Sequence, residues 1–357
     1  MAAPPSVRAA TRLSAWLRAN LFAGPLSAAI TLAVLGLLGW LAPGLLDWAW
    51  LHAEFRPDAE ACRALEHGGA CWGVIAEKHR FILFGRYPFE AQWRPLAATA
   101  AMLAALVATA FALRHPRRVL ALWLFVLPLF LVLMGGGVAG LAVVPSELWG
   151  GLPLTLLLTV VGLAAAFPLG LVLALGRLSP LPVPRMLCAG YIELVRGVPL
   201  VAVLFLASFL FPLFLPAGWT IDVLARVLVA IVLFAATYLA ETIRGGILAV
   251  GRGQWESAAA LGFTRAQQLG WVILPQALRA AQPSLVNIAV GLFKDTSLVT
   301  IVSLYELTGS LALALAGDGE WRAFHLEGYL FIGAIYWAGC FALSRWSLRL
   351  ERRLRPA

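Results

Sequence analysis

The sequence predicts an all-α, polytopic membrane protein, and three observations predict it. First, 61% of the 357 residues are hydrophobic and only 13% are charged, about half the charge of an ordinary soluble domain. Second, the mean hydropathy is +0.86. Third, the chain carries eight apolar stretches close to the ~20 residues that a helix needs to cross ~30 Å of hydrocarbon. They fall at roughly 26–46, 95–113, 119–142, 153–175, 198–216, 224–244, 284–304 and 328–347.

The first stretch follows Arg8, Arg12 and Arg18. It is too long for the apolar part of a signal peptide and no small-residue cleavage site follows it, so it reads as a retained anchor. The charge pattern orients the rest. With the N-terminus inside, the inner segments are 1–25, 114–118, 176–197, 245–283 and 348–357. These segments and their span ends hold eighteen of the 27 basic residues. The short outer loops 143–152 and 217–223 hold none. Basic residues gather on the cytoplasmic side of membrane proteins, so both termini are expected inside. The 47–94 loop carries six basic residues against seven acidic ones, and a loop of that length constrains topology weakly. The net charge of +9 therefore reflects topology and not nucleic-acid binding.

Composition shifts near residue 150. Residues 1–149 read as an accessory part, with three spans and the long outer loop 47–94. Residues 150–357 read as a five-span core with a polar insert at about 245–283. In the outer loop, Cys62 and Cys71 lie nine residues apart. An oxidising compartment would favour a bridge between them. Cys188 falls on the inner side and Cys340 within a span, so neither is expected to pair.

Several chemistries lack their residues. The only lysines, Lys78 and Lys294, do not follow glycine, so there is no phosphate-binding P-loop. No metalloprotease or serine-hydrolase motif and no zinc-ligand spacing occurs. His67 and His79 are isolated. The expectation is a transport subunit and not an enzyme, with neither metal nor cofactor of its own.

The insert at Gln254–Ala277 carries the most information. Residues 256–262, E-S-A-A-A-L-G, favour a helix that ends at Gly262, where a turn is permitted. A second short helix is expected over 265–272, with Leu269 and Val272 on one face and Pro275 limiting its continuation. Glu256, Ala258, Gly262, Val272, Leu274 and Pro275 together resemble the EAA loop of bacterial ABC importer permeases. Ser257 stands where Ala is usual, and Val272 where Ile is usual. In that family the loop is a coupling helix that docks on a separate ATPase.

Two further segments narrow the resemblance. "ELVRGVPLV", Glu193 to Val201, and "FKDTSLVT", Phe293 to Thr300, are similar to signatures of the polar amino-acid permeases of the histidine/glutamate/glutamine type. Val203 stands where many members carry Gln. The N-terminal spans and "FILFGRYPF", Phe81 to Phe89, resemble the M-type permease subunit of the general L-amino-acid importer. The resemblance implies a five-helix type I permease core in the bacterial inner membrane. It implies transport of L-amino acids by alternating access. It also implies an ATPase dimer holding ATP and Mg, a second and related permease subunit, and a periplasmic binding protein. An ATP-independent channel or secondary transporter is the alternative from another class.

Ionised groups inside a span are costly, about 2.5–3.5 kcal/mol each on insertion scales, and are functional or partnered by default. Lys294 and Asp295 fall near the middle of the seventh predicted span. With Thr296 and Ser297 they are the candidate substrate contacts, because an amino acid carries one charge of each sign. The alternative is structural: each pairs with another helix, or Lys294 snorkels to the membrane surface. Glu193 with Arg196, and Glu241 with Arg244, are three residues apart and share a helix face, so each is expected to form an ion pair. Trp149, Trp219, Trp321 and Tyr329 are expected as interfacial anchors.

Overall fold

The computed structural model describes residues 15–65, 68–112 and 115–354. Arg8, Arg12, His67, Arg114 and Arg355, which entered the charge and loop arguments above, lie outside these residues. The chain divides into two compact units, one up to Glu77 and one from Lys78. Among the described residues, seven helices are long and apolar enough to cross a membrane. Two shorter apolar helices, Pro182–Arg196 and Leu200–Phe214, follow one another with a 100° bend between them and make an eighth candidate.

In the first unit, helix α1 (Pro25–Leu46) starts with proline in its first turn, where the missing N–H costs nothing. It is apolar all round, and none of its residues is buried within the chain. That pattern suits a helix wrapped by lipid. A π-helical turn, Asp47–Leu51, ends it. The short helix α2 (Ala59–Arg63) is capped by the Asp58 carboxylate, which accepts from the backbone N–H of Glu60 at 2.9 Å and of Ala61 at 3.1 Å. Cys62 and Cys71 are joined as a disulfide with Cα atoms 5.5 Å apart. The Trp72 indole N–H donates to the Ala49 carbonyl at 2.8 Å.

Helix α3 (Gly73–Phe84) crosses the boundary into the second unit. There follow α4 (Trp93–Ala112), α5 (Pro116–Gly135), α6 (Gly151–Arg177), α7 (Pro182–Arg196) and α8 (Leu200–Phe205). After them come α9 (Val223–Ala249), α10 (Arg252–Ala260), α11 (Arg265–Gln267), α12 (Leu274–Asp295), α13 (Leu307–Ala316) and α14 (His325–Leu354). The centre of this unit is α6 against α9, with Leu154, Leu158, Ile231, Leu239 and Ile243 fully buried. At 27 residues each, both helices run about 40 Å, enough to cross the bilayer.

Four sequence expectations change. The third span stops at Gly135, not near 142, because the backbone leaves the helix at Gly136 with φ 71°. The freed carbonyls at the end of α5 are taken up by Arg94, a buried arginine whose guanidinium donates to Leu133 at 2.6 Å, Met134 at 3.4 Å and Ala142 at 2.8 Å. A cation at a helix C-terminus also meets the negative end of its dipole. The inner segment before the fifth span is itself a helix, and α7 meets the helical run Leu200–Phe214 at a bend of 100°. The seventh begins at Arg265 and runs as 38 helical residues to Val302. Finally, Trp149 and Trp321 are buried rather than interfacial, and the Trp149 indole donates to the Val144 carbonyl at 3.1 Å. Trp219 and Tyr329 are exposed.

A buried carboxylate organises one end of the bundle. Glu306, fully shielded from solvent, caps α13 by accepting from the N–H of Thr308 at 2.7 Å and of Gly309 at 3.2 Å. Its other oxygen accepts from the Tyr336 hydroxyl at 2.6 Å and the Thr155 hydroxyl at 3.1 Å. One side chain thereby ties α6, α13 and α14 together. At the same end Lys78 pairs with Asp318 at 2.8 Å, and this hydrogen bond holds the Asp318 carboxyl below its usual range.

Candidate functional site

The insert begins where α9 ends. Gly246 makes that junction possible: a Cβ there would stand 2.4 Å from the Ala277 carbonyl, so only glycine lets α9 and α12 approach so closely. Helix α10 then turns away from the bundle with Glu256 and Ser257 exposed and Ala258 buried beneath it.

The turn after α10 is closed by two backbone hydrogen bonds. Phe263 N–H donates to the Ala258 carbonyl at 3.2 Å, and Gly262 N–H to the Ala259 carbonyl at 2.9 Å. This is the Schellman arrangement, which needs a left-handed residue at the position of Gly262; its φ is 80°. Thr264 opens the next helix with a reciprocal capping box to Gln267. The turn is therefore stopped on one side and restarted on the other within three residues. Gln268 Nε2 donates back to the Phe263 carbonyl at 2.8 Å, and Phe263 packs edge-on against Trp271 at 5.8 Å between centroids. Gln276 Nε2 reaches the Gln254 amide oxygen at 3.1 Å and so joins α12 to α10.

The expected stop at Pro275 does not occur. A π-helical segment, Gln268–Ile273, precedes α12, and Pro275 sits in the first turn of that helix, where no intrahelical N–H is required. The insert is thus one helix, a tight turn, and a second helix that continues directly into the seventh span. Leu274 and Val272 are half-buried against the core. Leu261 and Trp271 remain 74% and 67% exposed. A rigid, apolar-tipped projection is therefore linked without interruption to a membrane helix.

The second candidate set is split. Lys294 and Asp295 lie in the last turn of α12, where the chain tightens into the 3-10 helix Thr296–Val302. Lys294 is exposed and Asp295 and Ser297 are half-buried. Among the described residues, no carboxylate comes within ion-pair distance of Lys294. Thr296 is fully buried, and its hydroxyl donates to the Phe293 carbonyl at 2.8 Å; it is closed to a ligand in this conformation. Among the described residues there is no group of acidic, histidine and cysteine side chains able to hold a metal.

Residues 166–356 match the family described as binding-protein-dependent transport system inner membrane component. The chain is 42% identical to the inner membrane amino-acid ABC transporter permease protein YhdY of Escherichia coli, over 98% of its own length and 95% of that protein's. It is 34% identical to the glutamate/glutamine/aspartate/asparagine transport system permease protein BztC of Rhodobacter capsulatus, over 95% and 93%. The chain belongs to this family. It is a transmembrane permease subunit of an amino-acid ABC importer, a multi-pass protein of the inner membrane. The fold agrees. The crystal structure of an amino acid ABC transporter with histidines superposes with a TM-score of 0.52 at 31% identity, over 57% of the permease and 92% of that chain.

Some polar features of the permease were invisible to spacing arguments. Glu193 pairs with Arg177 at 2.9 Å, and among the described residues no ion pair joins it to Arg196. Glu241 does pair with Arg244, at 2.9 Å, but also with Arg177 and Arg196. Glu306 carried no motif at all. Its signal in the sequence was a lone acid flanked by apolar residues.

Proposed function

We propose that the 252–276 projection is the surface through which a separate ATPase subunit drives the permease. The observation that supports this is the exposed apolar tip, Leu261 and Trp271, set on a turn closed by hydrogen bonds on both sides and continuous with the seventh span. Displacement of such a tip moves a membrane helix instead of being absorbed in a loop. ATP and Mg would sit on the ATPase dimer, since the chain has no P-loop lysine. Leu261→Cys paired with a cysteine in the ATPase groove is expected to cross-link in inner-membrane vesicles. Absence of any cross-link while both subunits co-purify would place the docking surface elsewhere.

The positive-inside distribution supports placing both termini and the projection in the cytoplasm. The Glu306 end would then face the periplasm and receive substrate from a binding protein. A second, related permease subunit would complete the pathway. The relatives named above handle amino acids, among them glutamate, glutamine, aspartate and asparagine for BztC, which supports polar L-amino acids as cargo. Transport would proceed by alternating access, with ATP shifting the balance between states through its differential affinity for them.

Lys294 and Asp295, with Ser297, are the proposed substrate contacts. Their support is an exposed cation, without a carboxylate partner among the described residues, beside a half-buried anion. Asp295→Asn is expected to raise the KM for uptake about ten-fold, equivalent to about 1.4 kcal/mol, with normal amounts of protein in the membrane. Unchanged KM and maximal rate would assign the pair a structural role.

A further inference from the structure

At the end of the bundle near the projection, three guanidinium groups from three helices converge on one carboxylate. Glu241 of α9 accepts from Arg177, the last residue of α6, at 2.9 Å and from Arg244 at 2.9 Å, and pairs with Arg196, the last residue of α7, at 3.9 Å. Arg177 also donates to Glu193 of α7 at 2.9 Å. Three guanidinium groups thus share two carboxylates, and Glu241 is the only one of these acids that touches all three arginines. The group is half-buried, so its charges are less screened than at an open surface.

The placement of this cluster matters more than its strength. Arg196 lies directly before the 100° break between α7 and α8. Glu241 lies eight residues before the end of α9, about 12 Å along the axis, and the projection begins three residues beyond that end. The cluster therefore clamps α7, the helix before the bend, to the helix that leads into the projection. A change in the angle between α7 and α9 must lengthen or exchange these ion pairs.

We propose that Glu241 is a positioning residue for energy coupling: by holding Arg177, Arg196 and Arg244 together it makes α7 and the bend after it move with the projection. Without the carboxylate, Arg196 and Arg244 lose their partner in this cluster and only the Arg177–Glu193 pair remains. Helix α7 would then keep only the Tyr191 hydroxyl bond to the Leu233 carbonyl at 3.0 Å and the contact of Arg196 with the Tyr238 ring as side-chain polar ties to α9. Motion of the projection would reach α7 less directly, and more ATP would be hydrolysed per amino acid moved. This inference rests on the docking role proposed for the projection, and the two can fail separately, because docking is read by co-purification and coupling by stoichiometry.

The test uses the complete importer in proteoliposomes, with substrate uptake and phosphate release measured together using radiolabelled L-glutamine and L-glutamate. Glu241→Gln is expected to raise the ATP consumed per amino acid imported by about five-fold or more, the lower end of ordinary allosteric coupling, with the ATPase subunit still bound. Glu241→Asp should restore part of the coupling. Arg196→Gln removes the longest and most exposed contact and leaves the Arg177 and Arg244 pairs in place, so it keeps the question answerable if Glu241→Gln folds poorly. It too should raise the ratio. An unchanged ratio in Glu241→Gln would overturn the proposal. So would poor folding of Glu241→Gln together with normal coupling in Arg196→Gln, because the cluster would then be merely structural.

Discussion

Gly262→Asp is expected to abolish ATP-driven uptake while the permease still inserts in the membrane at normal levels. Gly262 has φ 80°, and a Cβ built there meets no heavy atom within 4 Å. The fold therefore tolerates a side chain sterically, at a strain of about 1–2 kcal/mol for the left-handed backbone. That is too little to unfold a bundle with a core of this size. The damage falls on docking. A carboxylate beside Leu261 would place charge on the apolar tip, and it would sit at the C-terminus of α10, where the helix dipole disfavours an anion. Gly262→Asn separates the two causes, since asparagine accepts the left-handed region and carries no charge. It should retain most uptake. Normal uptake by Gly262→Asp, measured with radiolabelled amino acid in inner-membrane vesicles, would remove the projection from the transport mechanism.

Glu306→Ala is expected to cost about 3–5 kcal/mol of stability, comparable to breaking a buried ion pair. Two backbone donors, the N–H groups of Thr308 and Gly309, lose their acceptor, and the Tyr336 hydroxyl is left with the Thr308 hydroxyl at 3.4 Å. Each buried, unsatisfied polar group costs about 1–3 kcal/mol. The Thr155 hydroxyl is spared, because the Gly151 carbonyl also lies 3.1 Å from it. Glu306→Gln keeps an oxygen for the cap and should lose much less. Thermal unfolding of the detergent-purified complex reads both variants. An unchanged midpoint for Glu306→Ala would mean that α13 does not depend on its cap.

The spans were legible because hydropathy is a one-dimensional property. Even so, the stretch after Gly135 scored as membrane while folding as a loop, since its glycines and alanines are apolar but leave the helical region. The bend after Arg196 was hidden because "RGVP" marks a boundary without setting the angle at which the helices on either side meet. Pro275 was misjudged for a related reason. A proline breaks a helix only where its N–H is needed, and a preceding π-helical turn removes that need. The projection was legible through the fixed spacing of Glu256, Gly262, Leu274 and Pro275. Its fastening was not, since Gln254 and Gln276 are 22 residues apart and unremarkable in isolation. The pairing of Arg177 with Glu241, 64 residues away, was equally beyond a rule that looks only three or four residues along a helix.

In the proposed mechanism this chain is a conduit moved by a partner's ATP through the 252–276 projection. The most direct test is uptake of radiolabelled L-glutamine and L-glutamate into proteoliposomes containing the permease pair, with and without the ATPase subunit, and with and without ATP. Accumulation is expected only when both the ATPase and ATP are present, and it should vanish with Gly262→Asp. Accumulation without the ATPase, driven by an ion gradient or by substrate alone, would contradict the claim.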